Sequence, residues 1–164
     1  MLKIQHKFPS FSFGLFGSKG FSIYELMIAI MVLSILITIA IPAVSTYQDE
    51  RDHNQAVADI LEIQGVIDKF YVTNNRFPAS LNEINKHNKR DPWGNPYYYT
   101  NIATGGGNGG GIRKDKKLQP VNSDFDLFSA GKDGEFVASF GNSKSFDDIV
   151  RCNNGAYIGL AIDY

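Results

Sequence analysis

The chain has 164 residues, 20% of them charged, and its 16 Lys and Arg nearly balance its 17 Asp and Glu, giving a formal net charge of -1. This balance excludes the strongly basic surface on which nucleic-acid binding depends, and we predict no nucleic-acid partner. The single cysteine, Cys152, cannot form an internal bridge, which excludes a domain held together by its own disulfides.

The first element in chain order is an uninterrupted apolar stretch that begins at Phe21 and ends at Ile41. As a helix, its 21 residues would reach about 31 Å, the thickness of the hydrocarbon core of a bilayer. Glu25 is the only charge in this span, and a carboxylate in hydrocarbon costs about 2.5 to 3.5 kcal/mol. We therefore expect a cationic partner for Glu25. If the chain were cut after Gly20, the new amine at Phe21 would lie about one helical turn away.

The residues around this point resemble a known processing site. Lys19-Gly20-Phe21-Ser22-Ile23-Tyr24-Glu25, followed by the apolar run and Pro42, is similar to the cleavage site of type IV prepilins and type II secretion pseudopilins. In that family a membrane-embedded prepilin peptidase cuts after the Gly and methylates the new N-terminal Phe. The resemblance implies cleavage between Gly20 and Phe21, N-methylation of Phe21, and assembly roles for Glu25 and Pro42. The alternative is an ordinary signal anchor that happens to contain one Glu.

The lysines at the N-terminus predict the orientation of the chain in the membrane. The first 20 residues hold three Lys and no acid, and their removal leaves a net charge of -4. The apolar run follows the cut, so it is retained as an anchor, unlike the apolar core of a secretory signal peptide. Acids just after Pro42 fit the positive-inside rule. We predict a leader over 1–20, the transmembrane half of a helix over 21–42, and a periplasmic globular domain over 43–164, anchored by a single pass in the inner membrane.

The helical pattern resumes after Pro42, which we expect to kink or locally break the helix. The amphipathic pattern continues to about Phe70, and we expect the helix to end near Thr73-Asn74-Asn75. The apolar positions that predict an amphipathic helix there are Val57, Ile60, Leu61, Ile67 and Tyr71. A capping-box pattern from Ser80 to Glu83 predicts a short second helix. Residues 91–99, Asp-Pro-Trp-Gly-Asn-Pro-Tyr-Tyr-Tyr, resemble a segment of major pseudopilins, and we interpret them as a fold element without chemistry of its own. The expected fold is α+β and pilin-like, with a long N-terminal helix packed on a small antiparallel sheet.

A glycine run and a basic cluster come next. Residues 105–111, Gly-Gly-Gly-Asn-Gly-Gly-Gly, lack the Gly-Lys-Ser/Thr ending of a P-loop and predict a hairpin loop instead. The four basic residues that follow could touch nucleic acid or anionic lipid, but Asp115 lies among them and the protein is acidic. We therefore interpret the cluster as a solvated loop. Its members are Arg113, Lys114, Lys116 and Lys117.

Carboxylates in the last third of the chain are suitable ligands for calcium, although Asp-Gly is also the commonest chemistry of an ordinary turn. Residues 124–129 alternate as a half-buried strand and run into the turn 130–134, and an Asp-Asp pair follows at 147–148. Ca²⁺ takes six to eight oxygens, often from irregular loops. Major pseudopilins have a similar Asp-x-x-Ser-x-Gly-x-Asp-Gly stretch followed by Asp-Asp-Ile, and bind one structural calcium there. The resemblance implies side-chain ligands from Asp133, Asp147 and Asp148, and a backbone carbonyl from Ala130.

The family resemblance implies a structural subunit of a type II secretion pseudopilus, which polymerises from the inner membrane and helps export folded proteins. The implied partners are other copies in a helical filament, prepilin peptidase, minor pseudopilins, an inner-membrane assembly platform, a cytoplasmic ATPase and membrane lipid. One alternative is a type IV pilin or minor pilin of a surface fibre, for adhesion or DNA uptake. Another is a membrane-anchored periplasmic enzyme with Asp147 and Asp148 as catalytic carboxylates. Because no Ser/His/Asp set, nucleotide loop or metalloprotease motif accompanies them, we predict that the chain is not an enzyme.

Overall fold

The computed structural model describes residues 20–107 and 111–164, so residues 1–19 of the predicted leader lie outside it, as do positions 108–110 of the glycine run. It contains one long helix, five strands and three short 3-10 helices. The helix and strands are α1 (Ile23–Asn74), β1 (Tyr97–Asn101), β2 (Gly106–Gly107), β3 (Phe125–Ser129), β4 (Ile149–Cys152) and β5 (Tyr157–Leu160). The 3-10 helices are Ser143–Ser145, Asn153–Gly155 and Ala161–Asp163. The predicted α+β fold class is confirmed.

The strands form one antiparallel sheet in the order β2-β1-β3-β4-β5. The register pairs Tyr99 with Leu127, and Phe128 with Val150. All five residues of β3 are buried, so both faces of the central strand are covered. This sheet is part of a compact unit over Val44–Tyr164, and a second unit covers the residues up to Ala43.

Alternate residues of the strands divide the interior into two cores. One face of the sheet packs against α1, where the buried apolar residues recur three or four positions apart, as one stripe of a helix does. The residues of this core include Ala56, Ile60, Ile63, Ile67, Tyr97, Tyr99, Phe125, Leu127 and Ile149. The opposite core contains Val121, Phe128, Phe140, Val150, Cys152 and Ala161. Burial there raises the pKa of the Cys152 thiol to about 12, so the only cysteine is unreactive at neutral pH.

The helix ends within the predicted positions 73–75 and has no break at Pro42, but its packed face differs from the prediction. It runs without interruption through Pro42 and ends at Asn74, after which Asn75 adopts φ 54° and donates to the Tyr71 carbonyl (2.8 Å). The expectation that Leu61 and Tyr71 lie on the packed face is wrong, because they are 53% and 42% exposed. Leu61 follows the buried Ile60 directly, and adjacent helical residues point about 100° apart.

The prediction of a short helix from Ser80 is wrong, because turns occupy residues 81–85. Glu83 accepts from the backbone N–H of Ala79 (2.8 Å) and pairs with Arg76, so its carboxylate does not reach back to Ser80. Asn85 adopts φ 57°, and Lys86 then donates to the Leu81 carbonyl at 2.8 Å. The left-handed residue therefore closes the segment after a single turn.

Candidate functional site

The beginning of α1 contains Glu25 in a defined arrangement. The backbone N–H of Ser22 donates to Glu25 Oε2 (3.1 Å), and the N–H of Tyr24 donates to Ser22 Oγ (3.3 Å). These bonds form a capping box, in which the first helical residues have their free N–H groups satisfied by the side chains of a Ser-x-x-Glu sequence. This capping role of Glu25 was not predicted from the sequence, although the Ser-x-x-Glu spacing indicates it.

The first part of α1 exposes apolar side chains on every face. Ile28, Leu33 and Ile39 are 61%, 55% and 66% exposed, and the helix is long and apolar enough to cross a membrane. A helix that is apolar all round requires an apolar surrounding. Within residues 20–107 and 111–164, no basic side chain forms an ion pair with Glu25.

The turn after β3 is braced by the Asp-Pro-Trp-Gly-Asn segment. Ser129 Oγ accepts from the Gly131 N–H (3.1 Å) and donates to Asp91 Oδ2 (2.5 Å). The other oxygen of Asp91 accepts from the N–H groups of Trp93 and Asn95, and Asn95 Nδ2 donates to the Gly131 carbonyl at 2.9 Å. Burial raises the pKa of Asp91. The segment is thus a structural element that holds the turn in place.

The structure brings together two of the three carboxylates predicted to bind calcium. Asp147 Oδ2 accepts from the backbone N–H of Asp133 (3.0 Å), and Asp133 Oδ1 accepts from the N–H of Glu135 (2.8 Å). Ala130, the predicted carbonyl ligand, is buried beside them at the end of β3. Asp148 is also buried, but its Oδ2 accepts from a guanidinium nitrogen of Arg113. Burial raises the pKa of Asp148 to about 6, although Arg113 acts to lower it.

This arrangement does not fit the predicted calcium ligands. In the part of the chain that the structure describes, no group of three or more His, Cys, Asp or Glu is placed to hold a metal ion. Ca²⁺ requires six to eight oxygens, and one of the predicted carboxylates is already paired with a fixed cation. The calcium site itself stays a prediction.

The positions of Asp147 and Asp148 also bear on the alternative that the chain is an enzyme with these two residues as catalytic carboxylates. A catalytic carboxylate must contact its substrate, and the Asp148 side chain has no exposed surface. Asp147 meanwhile holds the 130–134 turn through the N–H of Asp133. The two adjacent aspartates therefore have structural contacts in place of an open catalytic cleft.

The solvated position predicted for Arg113 is wrong, because its residue exposure is only 1%. Its Nη1 donates to the Val137 carbonyl (2.6 Å), and its backbone N–H donates to Asp126 Oδ2 (2.7 Å). From the sequence, Arg113 was grouped with the lysines that follow it. The one signal that distinguishes Arg113 from them is its residue type, because arginine tolerates burial beside carboxylates and aromatic rings better than lysine does.

A second buried arginine links α1 to the sheet. Arg151 of β4 donates from Nε to Gln64 Oε1 (2.9 Å) and forms two bonds to the Asp124 carboxylate, at 2.9 and 2.7 Å. Its guanidinium lies 3.9 Å from the ring centroid of Phe125. The bond to Gln64 links α1 to the sheet, and the bidentate pair with Asp124 holds the guanidinium in place. Neither contact was predicted.

Similarity to curated proteins is consistent over most of the chain. The type II secretion system core protein G of Aeromonas hydrophila is 27% identical over 139 residues, covering 71% of this chain and 85% of that protein. The protein of the same name from Escherichia coli K12 is 24% identical over 152 residues, with 77% and 93% covered. That from Dickeya chrysanthemi is 27% identical over 148 residues, with 85% and 90% covered. The chain is a relative of type II secretion core protein G.

This relationship confirms the resemblance drawn from the cleavage-site sequence. No protein-family model matches the chain, and no solved structure matches it. The relatives named above bear the name of a secretion-system core protein, and none is named as an enzyme. Together with the one helix in residues 20–107 and 111–164 that is long and apolar enough to cross a membrane, the relationship fits a membrane-anchored pseudopilus.

Proposed function

We propose that the chain is a structural subunit of a type II secretion pseudopilus, which polymerises from the inner membrane into the periplasm and helps export folded proteins. The observation that carries the proposal is the exposed apolar half of α1. Its first turn contains Glu25, which lies one helical turn after Phe21. The relatives named core protein G support the same system. No second function is favoured by a contact in the described residues.

The first step is processing. Prepilin peptidase cuts between Gly20 and Phe21, and the 20-residue leader is lost. The amine of Phe21 is then one turn before Glu25 and can compensate its charge within the bilayer, where an unpaired carboxylate is costly. The capping bond from Ser22 to Glu25 gives the carboxylate one further donor.

The second step is assembly. A subunit that leaves the bilayer for a fibre must bury Glu25 among neighbouring helices. Pairing it with the Phe21 amine of the next subunit compensates the charge and fixes the axial register. A cytoplasmic ATPase, an inner-membrane platform and minor pseudopilins are the proposed partners for this step. The domain that starts near residue 43 then lies along the fibre in the periplasm.

Processing leads to a prediction about mass. The membrane-extracted protein is expected to have the mass of a chain that starts at N-methylated Phe21. Gly20→Leu, which places a large side chain at the cut, is expected to yield the full precursor. Intact mass spectrometry measures both. A mature wild-type chain that still contains Lys19 would contradict the proposal.

The proposed function is tested by deletion of the gene. Export of folded proteins is expected to fall to background, with the exoproteins retained in the periplasm, and the wild-type gene is expected to restore export. Secretion is measured as exoprotein activity in the medium against the periplasmic fraction. Normal export together with loss of a surface fibre would instead identify a type IV pilin.

A further inference from the structure

Arg113 is the most deeply buried cation next to the predicted calcium ligands. Its guanidinium donates from Nη1 to the Val137 carbonyl (2.6 Å) and from Nη2 to the Asp148 carboxylate. Its backbone N–H donates to Asp126 at 2.7 Å. Three segments that are far apart in the chain therefore meet at one residue.

Two buried acids, Asp126 and Asp148, lie next to Arg113. Asp126 and Asp148 have exposures of 1% and 0%. An ionised carboxylate taken out of water is strongly destabilising unless a cation and hydrogen bonds accompany it. In a calcium-binding domain the ion supplies that charge. Here the Arg113 guanidinium pairs with Asp148, and Asp126 accepts from the Arg113 backbone N–H and from Asn122 Nδ2. The cation belongs to the chain itself.

The environment favours arginine over lysine. The guanidinium carbon lies 4.3 Å from the ring centroid of Phe128 and 5.0 Å from that of Phe140. A planar guanidinium packs on aromatic faces while its edge donates to a carbonyl and a carboxylate together, which a lysine ammonium does less well. The remaining polar atoms of the pair, Arg113 Nε and Asp148 Oδ1, have no hydrogen-bond partner among the described residues.

We propose that the Arg113 guanidinium is the resident cation of this corner, replacing the structural calcium ion, so that the domain folds and stays folded without Ca²⁺. The proposal accounts for three observations at once. Asp148 is paired inside the protein, Asp147 is bonded to the backbone of Asp133, and the described carboxylates do not converge on one point. It concerns the stability of the subunit and does not depend on the system in which the subunit assembles.

The test is thermal unfolding of the mature full-length chain in detergent micelles, after removal of bound metal, with Ca²⁺ alone or with EGTA. Wild type is expected to have the same Tm in both. Arg113→Met is expected to lower Tm by about 10 °C or more, and Arg113→Lys to rescue little of that loss. Lys117→Met, which removes an exposed cation from the same segment, is the matched control and is expected to leave Tm unchanged.

A second variant keeps the test decisive if Arg113→Met does not fold. Adding Asp148→Leu removes the unpaired carboxylate, and the double variant is expected to fold and to recover most of the lost Tm without Ca²⁺. A wild-type Tm that rises by several degrees with Ca²⁺ would overturn the proposal. So would an Arg113→Met chain as stable as wild type, or a double variant no better than the single one.

Discussion

Glu25→Ala is expected to stop fibre assembly while the chain still inserts into the membrane. Insertion is driven by the apolar span, which the substitution makes more apolar. In the proposed assembly the carboxylate lies opposite the Phe21 amine of the neighbouring subunit, and removing one member of a buried pair leaves the other charge uncompensated. The cost of about 3 to 5 kcal/mol corresponds to at least a hundredfold weaker subunit addition. Membrane fractionation measures insertion, and crosslinking of sheared fibres measures assembly.

The capping box supplies matched controls for this prediction. Glu25→Gln keeps an oxygen that can accept from the Ser22 N–H but removes the charge, so it is expected to fail as Glu25→Ala does. Ser22→Ala removes the capping hydroxyl and keeps the carboxylate, so it is expected to assemble. Glu25→Lys would face the neighbouring amine with a like charge and is also expected to fail. Normal fibres and normal secretion with Glu25→Ala would refute the pairing.

Gly131→Ala is expected to destabilise the domain by at least about 3 kcal/mol, because two penalties add at this position. Gly131 has φ +64°, a conformation that costs an alanine about 1 to 2 kcal/mol. Its added Cβ would also overlap the backbone carbonyl oxygen of Asp147 and lie 2.6 Å from Asp147 Oδ2. The turn after β3 and the 147–148 segment could then no longer pack together.

Gly105→Ala is the matched control, because Gly105 has nearly the same φ, +65°, and no atom of the described residues lies within 4 Å of an added Cβ. It is expected to lose only the conformational part, about 1 to 2 kcal/mol. Denaturant unfolding of both variants gives the two free energies of unfolding. Equal losses would show that the approach of Asp147 to the turn does not constrain the fold.

Features that depend on local sequence were predicted well. The length of the apolar run predicted a helix able to span a membrane, and periodicity carried that helix close to its end at Asn74. The Pro-containing segment before β1 was correctly interpreted as a fold element. Ser80 shows the limit of a local signal, because its capping pattern is present but Asn85 ends the turn before a helix can form.

Features that depend on contacts between distant segments were not predicted. Arg113 meets Asp148 across 35 positions of the chain, and Arg151 meets Gln64 across 87. No residue next to either arginine in the sequence identifies its partner. The buried Arg113 was therefore interpreted as part of a solvated loop. The assembly residues came from the resemblance of residues 19–25 to a processing site, and physical reasoning about Glu25 agreed with it.

The two outer strands of the sheet have a consequence for the close packing of many copies in the proposed fibre. The outer strands are short, with two residues in β2 and four in β5, and β5 leads directly into the 3-10 helix Ala161–Asp163. Long, open edge strands invite another copy to add a strand and begin an amyloid-like aggregate. Short outer strands limit this side reaction. In the proposed fibre, where many copies pack closely, they leave the apolar N-terminal helices as the surface for self-association.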